Sequence, residues 1–378
     1  MKAKNENEKI ILNVNNNNNQ KINNISENPS NPDTSGFFTL SYKNGDKFSG
    51  QLTKGSVDSY GIYQQSNGIT FEGDFSKNSK SNQNNKEENK KIKGKLTFDN
   101  GKSIYEGELL NGKFEGKGVL LSSNGDIYEG EFKNGLKDGM GVFLFSEGDK
   151  YIGSFSNNNF DGEGKLIIKD ISEYKGKFKN GKYDGYGMLK SLNNNDILIG
   201  VFKNGKIDGE GFQILSNGDR YDGTFKEGKF DGHGIYKFEN GDIYEGNFSE
   251  GYIEGEGELK YENGDKYRGN FIKGEKSGKG TFFFGDKNVY EGYFLNDKFH
   301  GKGVLFKGNG DMIEGNFEKG LIKGNATFYP NNGIPYDFNT EEDLEEQDNN
   351  NNENTINNEI SNEDHSTCEN TQTNIENI

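Results

Sequence analysis

Carboxylates recur at a fixed spacing along the middle of the chain, at Glu115, Asp138, Asp161, Asp184, Asp208, Asp231 and Glu254. Paired acids can run general acid–base reactions. Here each acid precedes a glycine in a turn-like stretch. The better reading is a carboxylate that closes a turn by accepting from a nearby backbone N–H. Glycine strings such as Gly162-Glu163-Gly164 invite a phosphate-loop reading. No Gly-Lys-Ser/Thr follows a strand and opens a helix, so that reading fails. The three histidines, His233, His300 and His365, have no metal-ligand spacing. Cys368 is the one cysteine, which excludes an internal disulfide framework and a cysteine-based zinc site. The expectation is no enzyme, no cofactor and no small-molecule substrate.

The elements that carry these residues are repeats. A triplet of aromatic, any residue and Gly begins at Phe48, Phe71, Tyr105, Tyr128, Tyr151, Tyr174, Leu198, Tyr221, Tyr244, Tyr267, Tyr290 and Ile313. From Tyr105 onward the step is 23 residues, with one step of 24. The longer step from Phe71 to Tyr105 holds a polar insert at residues 79–91. If the triplet's first residue is position 0, position 2 is always Gly and position 4 is nearly always Phe. Positions 11 and 13 are mostly Gly, and position 15 is mostly Leu or aromatic.

The pattern Tyr-x-Gly-x-Phe followed by Asp-Gly-x-Gly resembles the MORN (membrane occupation and recognition nexus) repeat. The resemblance runs over about twelve units in register. It implies one β-hairpin per repeat and an elongated sheet. It also points to the company the family keeps: radial-spoke head proteins, junctophilins, apicomplexan cytoskeletal scaffolds and plant phosphatidylinositol phosphate kinases. Those kinases carry a catalytic domain after their repeats, and residues 337–378 are expected to hold none.

The spacing itself predicts an all-β fold, a single-layer antiparallel solenoid of hairpins. Side chains alternate faces along a strand, so positions 0, 2 and 4 share one face. A hairpin would pair position 4 with 11, 2 with 13 and 0 with 15. A three-residue second turn ending in Gly keeps that register into the next repeat, and a two-residue turn would throw every Tyr to the other face. The expected surface has a glycine floor between a Phe rail and a Tyr/Leu rail. In the interior repeats this puts Phe225, Phe248 and Phe271 in one rail and Tyr221, Tyr244 and Tyr267 in the other. Gly223, Gly246 and Gly269 line the floor between them. A layer with one uncovered aromatic face should bind something there, either an amphipathic helix of a protein partner or a second copy of the chain.

The ends differ from the middle. All 55 glycines lie between Gly36 and Gly333. Residues 1–36 are Asn-rich, and residues 337–378 hold thirteen Asp/Glu and no Lys/Arg. Both are expected to be disordered tails around an array at 37–336. The tail accounts for most of the net charge of −16, and nothing forms a basic footprint for nucleic acid. Lys179, Lys182, Lys203, Lys206, Lys226 and Lys229 cluster at the first turn of their repeats and suggest a weak anionic-lipid edge. No signal peptide, membrane span or prenylation box is visible. The expectation is a cytoplasmic scaffold at the cytoskeleton, a cilium or the membrane periphery. The alternative is a membrane-associated module linked to phosphoinositides.

Overall fold

A computed structural model of the chain describes residues 36–53, 56–75 and 91–340. Most of both expected tails and nearly all of the 79–91 insert lie outside the described residues. Among the described residues the fold is all-β and antiparallel, with 26 strands and one short 3-10 turn at Asp99–Gly101. No described helix is long and apolar enough to cross a membrane.

The chain divides into two compact units, residues 1–185 and residues 186–378. In unit 1 the strands run from β1 (Gly36–Ser41), β2 (Lys47–Thr53) and β3 (Ser56–Gln64) to β10 (Lys150–Ser156), β11 (Asn159–Ile168) and β12 (Ser172–Lys179). In unit 2 they run from β14 (Ile197–Lys203) through β16 (Arg220–Lys226), β17 (Lys229–Lys237), β18 (Ile243–Ser249) and β19 (Tyr252–Lys260). They end at β25 (Leu321–Tyr329) and β26 (Tyr336–Asn339). Within each unit every strand pairs with its neighbours in the chain, as β16 does with β17 and β17 with β18. Each unit is therefore a single open layer.

The register between repeats is the expected one. Tyr236 faces Tyr244, Gly234 faces Gly246, and Gly232 faces Phe248. The turn that sets it has three residues between Phe238 and Asp242. Phe238 N–H donates to Asp242 O at 3.0 Å and Gly241 N–H to Phe238 O at 3.1 Å, with Gly241 at φ +98°. This is a type I turn closed by a glycine in the left-handed region.

The register inside the hairpin differs from the expectation. Tyr221 faces Tyr236 and Gly223 faces Gly234, but Phe225 faces Phe230 at position 9 rather than Gly232 at position 11. The cause is the first turn. Glu227 (φ 50°) and Gly228 (φ 91°) form a two-residue turn with both residues at positive φ, the geometry that matches strand twist. That tight turn pairs Lys226 with Lys229, and a bulge between Gly223 and Phe225 absorbs the extra residues. The same shift recurs in the β18–β19 hairpin, where Phe248 faces Ile253.

Candidate functional site

The face built from positions 0, 2 and 4 is the site the sequence points to. In β18, Tyr244 directs its ring along its own strand, and its Oη–H donates to Asn247 O at 3.0 Å. Tyr221 and Tyr267 do the same to Thr224 O at 2.8 Å and Asn270 O at 3.0 Å. A buried phenol needs such an acceptor, and reaching it lays the ring flat over two glycines. A Cβ on Gly246 would run into Tyr244 Oη and stand 2.6 Å from Gly257 Cα. Gly223 and Gly269 are covered alike by Tyr221 and Tyr267. The glycine floor is therefore occupied by the tyrosines rather than open between two rails.

The phenylalanines close over the tyrosines. Tyr221 meets Phe225 of its own repeat edge-on at 5.1 Å and Phe248 of the next at 5.0 Å. Tyr244 meets Phe271 at 5.1 Å in the same way. Tyr221, Tyr244 and Tyr267 are fully buried, and Phe225, Phe248 and Phe271 are at most 5% exposed. Burial in this layer pushes the phenol pKa values of the three tyrosines well above the ordinary range.

A row the sequence reading missed covers these rings. Position 9 stacks face to face on the tyrosine of its own repeat. Phe230 lies 3.9 Å from Tyr221, and Phe299 lies 3.8 Å from Tyr290. In unit 1, Phe114, Phe160 and Tyr183 sit 3.9, 3.8 and 3.7 Å from Tyr105, Tyr151 and Tyr174. Position 17 adds a second outer row, with Phe145 against Phe160 in unit 1 and Phe284 against Phe299 in unit 2. The signal was available as a large apolar residue nine places after most tyrosines. Phe114, Phe145, Phe160 and Tyr183 in unit 1 are half-exposed, as are Phe238 and Phe299 in unit 2. Within each unit they form an outer aromatic surface.

Two lysines interrupt the position 9 row, one in each unit. Lys137 Nζ stands 4.5 Å from the Phe143 ring centre and 5.6 Å from that of Tyr128. Lys276 Nζ donates to Tyr261 Oη at 2.7 Å.

The recurring acids are fasteners between repeats. Position 10 does not close its own turn. Its carboxylate accepts from the first turn of the next repeat: Asp161 from Asn180 N–H at 3.1 Å, Asp208 from Glu227 N–H at 3.2 Å, Glu254 from Lys273 N–H at 2.9 Å. The aspartate of the Asn-Gly-Asp turn fastens the other edge. Asp219 accepts from Glu239 N–H of the next repeat at 2.7 Å, from Asn217 Nδ2 at 2.8 Å and from Tyr236 Oη–H at 2.7 Å. Asp242 and Asp265 repeat the first bond to Glu262 and Gly285. These acids are committed to backbone donors, and no described group of three or more His, Cys, Asp or Glu could hold a metal. His233 and His300 are exposed.

The lysines of the first-turn edge are exposed where the sequence placed them, Lys179 and Lys182 in unit 1 and the rest in unit 2. Acids share that edge. Lys206 Nζ is 3.6 Å from Glu227 Oε2, and Lys229 Nζ is 2.9 Å from Glu250 Oε2. The hydrogen bond from Lys229 holds the Glu250 carboxyl below its usual pKa.

With this geometry in view, comparison with known proteins is informative at the level of the family. The MORN repeat profile matches ten consecutive segments between residues 105 and 334. No curated protein matches the chain. Among solved structures, the G-box domain of the microcephaly protein CPAP is 10% identical, over 69% of this chain and 100% of that one, at a TM-score of 0.15. The TCP domain of SAS-4 from Drosophila melanogaster, in complex with a proline-rich motif of Ana2, is 11% identical over 52% and 81% at 0.16. Virginiamycin B lyase from Staphylococcus aureus is 12% identical over 82% and 85% at 0.12. TM-scores this low carry no inference about fold or function. The ten matched segments span more than half of the sequence, and their limits follow the hairpins described above: the chain belongs to the MORN repeat family.

Proposed function

We propose that the chain is a non-enzymatic scaffold that binds a protein partner along its outer aromatic surface. The observation that carries this reading is the single layer: half-exposed rings such as Phe145 and Phe160 have no second layer over them among the described residues. Exposed apolar surface of this kind marks interaction sites. The buried Tyr221, Phe225, Tyr244, Phe248, Tyr267 and Phe271, with Gly223, Gly246 and Gly269, act as the base that holds the outer rings in line. The occupant is an amphipathic helix laid along the row, or a second copy of the chain. The cell site is the cytoskeleton or a cilium. Proximity labelling in cells tests this. A labelled set lost on Phe145→Ser with Phe160→Ser, at unchanged β-sheet circular dichroism, is the expected result. An unchanged set sinks the reading.

A second reading rests on the hairpin ends. Lys203 pairs with Lys206 and Lys226 with Lys229 across their turns, all four exposed. This favours a weak contact with anionic lipid, tempered by Glu227 and Glu250. Flotation with phosphatidylserine vesicles decides it, and no binding at low salt removes it.

A further inference from the structure

Lys137 and Lys276 hold the same place in their repeats but sit among different groups. In unit 2, β21 (Glu275–Phe283) carries Lys276. Its amine pairs with the Asp297 carboxylate and donates to Tyr261 Oη, and its side chain is 6% exposed. In unit 1, β9 (Leu136–Leu144) carries Lys137. Asn158 takes the place of Asp297 there, and Ser122 the place of Tyr261. The Lys137 amine rests between two rings, Phe143 and Tyr128. Among the described residues no carboxylate pairs with it.

The charged and titratable groups around Lys137 do little to hold its proton. Asp126, in the turn before β8 (Ile127–Lys133), pulls on it from a distance. That carboxylate is already taken by Asn124 Nδ2 at 2.7 Å and Ser146 N–H at 2.8 Å. β8 contributes Tyr128 and β10 contributes Tyr151, phenols that burial keeps neutral. An ammonium enclosed by rings without a counter-charge is disfavoured against the free amine, and burial lowers this one to about 8. A free lysine amine is a nucleophile. Lys137 lies in the outer row, between Phe114 and Phe160 of the neighbouring repeats, and keeps part of its surface open to solvent. A half-buried amine of this kind admits a small donor more readily than it enters the active site of an enzyme.

We propose that Lys137 is an acylation site that takes a short acyl group from an acyl phosphate. Nζ attacks the carbonyl carbon and the C–N bond forms. The C–O bond to phosphate breaks, phosphate leaves with the electron pair, and the proton of the amine passes to solvent. The product is a neutral amide over two rings. The charge that interrupts the aromatic row of unit 1 is removed, and with it the cost of holding an ammonium there.

Acetyl phosphate added to the full chain at pH 8, with the acetylation rate of each lysine read by peptide mass spectrometry, tests this. Lys137 should react about tenfold faster or more than the exposed Lys133 and the paired Lys276, because a larger share of its amine is free. Asn158→Asp should slow Lys137 about tenfold by supplying the carboxylate that Lys276 has. The turn accepts that change, since Asp297 holds the same place at φ 66° and Asn158 at φ 69°. In urea the lead of Lys137 should vanish. Equal rates for Lys137 and Lys133 in the folded chain overturn the proposal. So does an Asn158→Asp chain that reacts as fast as the unaltered one. A lead that persists in urea belongs to the local sequence, not to the fold, and overturns it as well.

Discussion

Lys276 Nζ stands 3.3 Å from Asp297 Oδ1, a buried amine and its counter-charge inside the aromatic layer of unit 2. Lys137 holds the same position in its repeat, with Asn158 where Asp297 stands. Both lysines donate their backbone N–H to that residue, at 2.9 Å to Asp297 Oδ1 and 2.8 Å to Asn158 Oδ1. With an amide in place of the carboxylate, burial lowers the Lys137 amine to about 8, against a weaker opposing pull from Asp126. The folded chain therefore releases this proton before the unfolded chain does. Stability should rise as pH climbs from about 8 toward the ordinary lysine value of about 10.4. Urea midpoints across this range measure it. Asn158→Asp should flatten the rise, and Lys137→Met should stabilise at pH 7 by about 1–3 kcal/mol.

The tyrosines work in the opposite sense above that range. Burial raises Tyr183 to about 12, and Tyr244 and its counterparts are raised further. Their stabilisation is complete below the free phenol value of about 10 and is lost as pH rises above it. In alkaline unfolding followed by tyrosinate absorbance, the share of the signal that comes from these buried rings should therefore appear cooperatively, together with loss of the β-sheet signal. Complete tyrosine ionisation in a folded chain would contradict the buried placement.

Gly246→Ala should be costly. The added carbon meets Tyr244 Oη and, 2.6 Å away, backbone that cannot move aside. A loss of about 1–3 kcal/mol is expected from overpacking. Tyr244→Leu in the same chain should recover part of it by clearing the ring, as Leu198 leaves the glycines of its repeat free of a tyrosine. A double-mutant cycle reads this coupling.

Phe248→Ala should cost about 3–5 kcal/mol, since its ring is 5% exposed and packs edge-on against Tyr221 and Tyr244. Phe160→Ser removes a half-exposed ring and should cost less. A reversed order in denaturant midpoints would show that the outer row, not the inner one, holds the layer together.

Asp219→Ala should cost about 2–3 kcal/mol, because it strands the Glu239 N–H and a buried Tyr236 hydroxyl. Asp311 makes the corresponding backbone bond to Asn331 at a more exposed turn, so Asp311→Ala should cost less. Thermal melts of the two variants compare them directly.

The strands, their faces and the register between repeats were legible because Tyr, Gly and Phe alternate and the Asn-Gly-Asp turn admits one geometry. The hairpin interior was not. Gly232 carries no side chain to show which strand it faces, so counting by twos paired it with Phe225. It does face Phe248 of the next repeat as expected, but inside the hairpin the Glu227-Gly228 turn brings Phe230, not Gly232, opposite Phe225. The candidate site changed for the same reason. Once Phe230 stacks on Tyr221, the tyrosine is covered from above while its hydroxyl draws it onto the glycines beneath. The role of the acids was half legible. A turn bond was expected, but the N–H belongs to the next repeat, about twenty residues on, which no local pattern reveals.

The fasteners also set an order of assembly. Gly228 N–H bonds to Ile207 O and Gly251 N–H to Phe230 O, so each first turn is tied to the repeat made just before it. Within each unit every strand pairing joins chain neighbours, which keeps contact order low. A chain leaving the ribosome never has to wait for a distant segment. Each new hairpin emerges beside a finished template whose exposed edge is already in the register it needs.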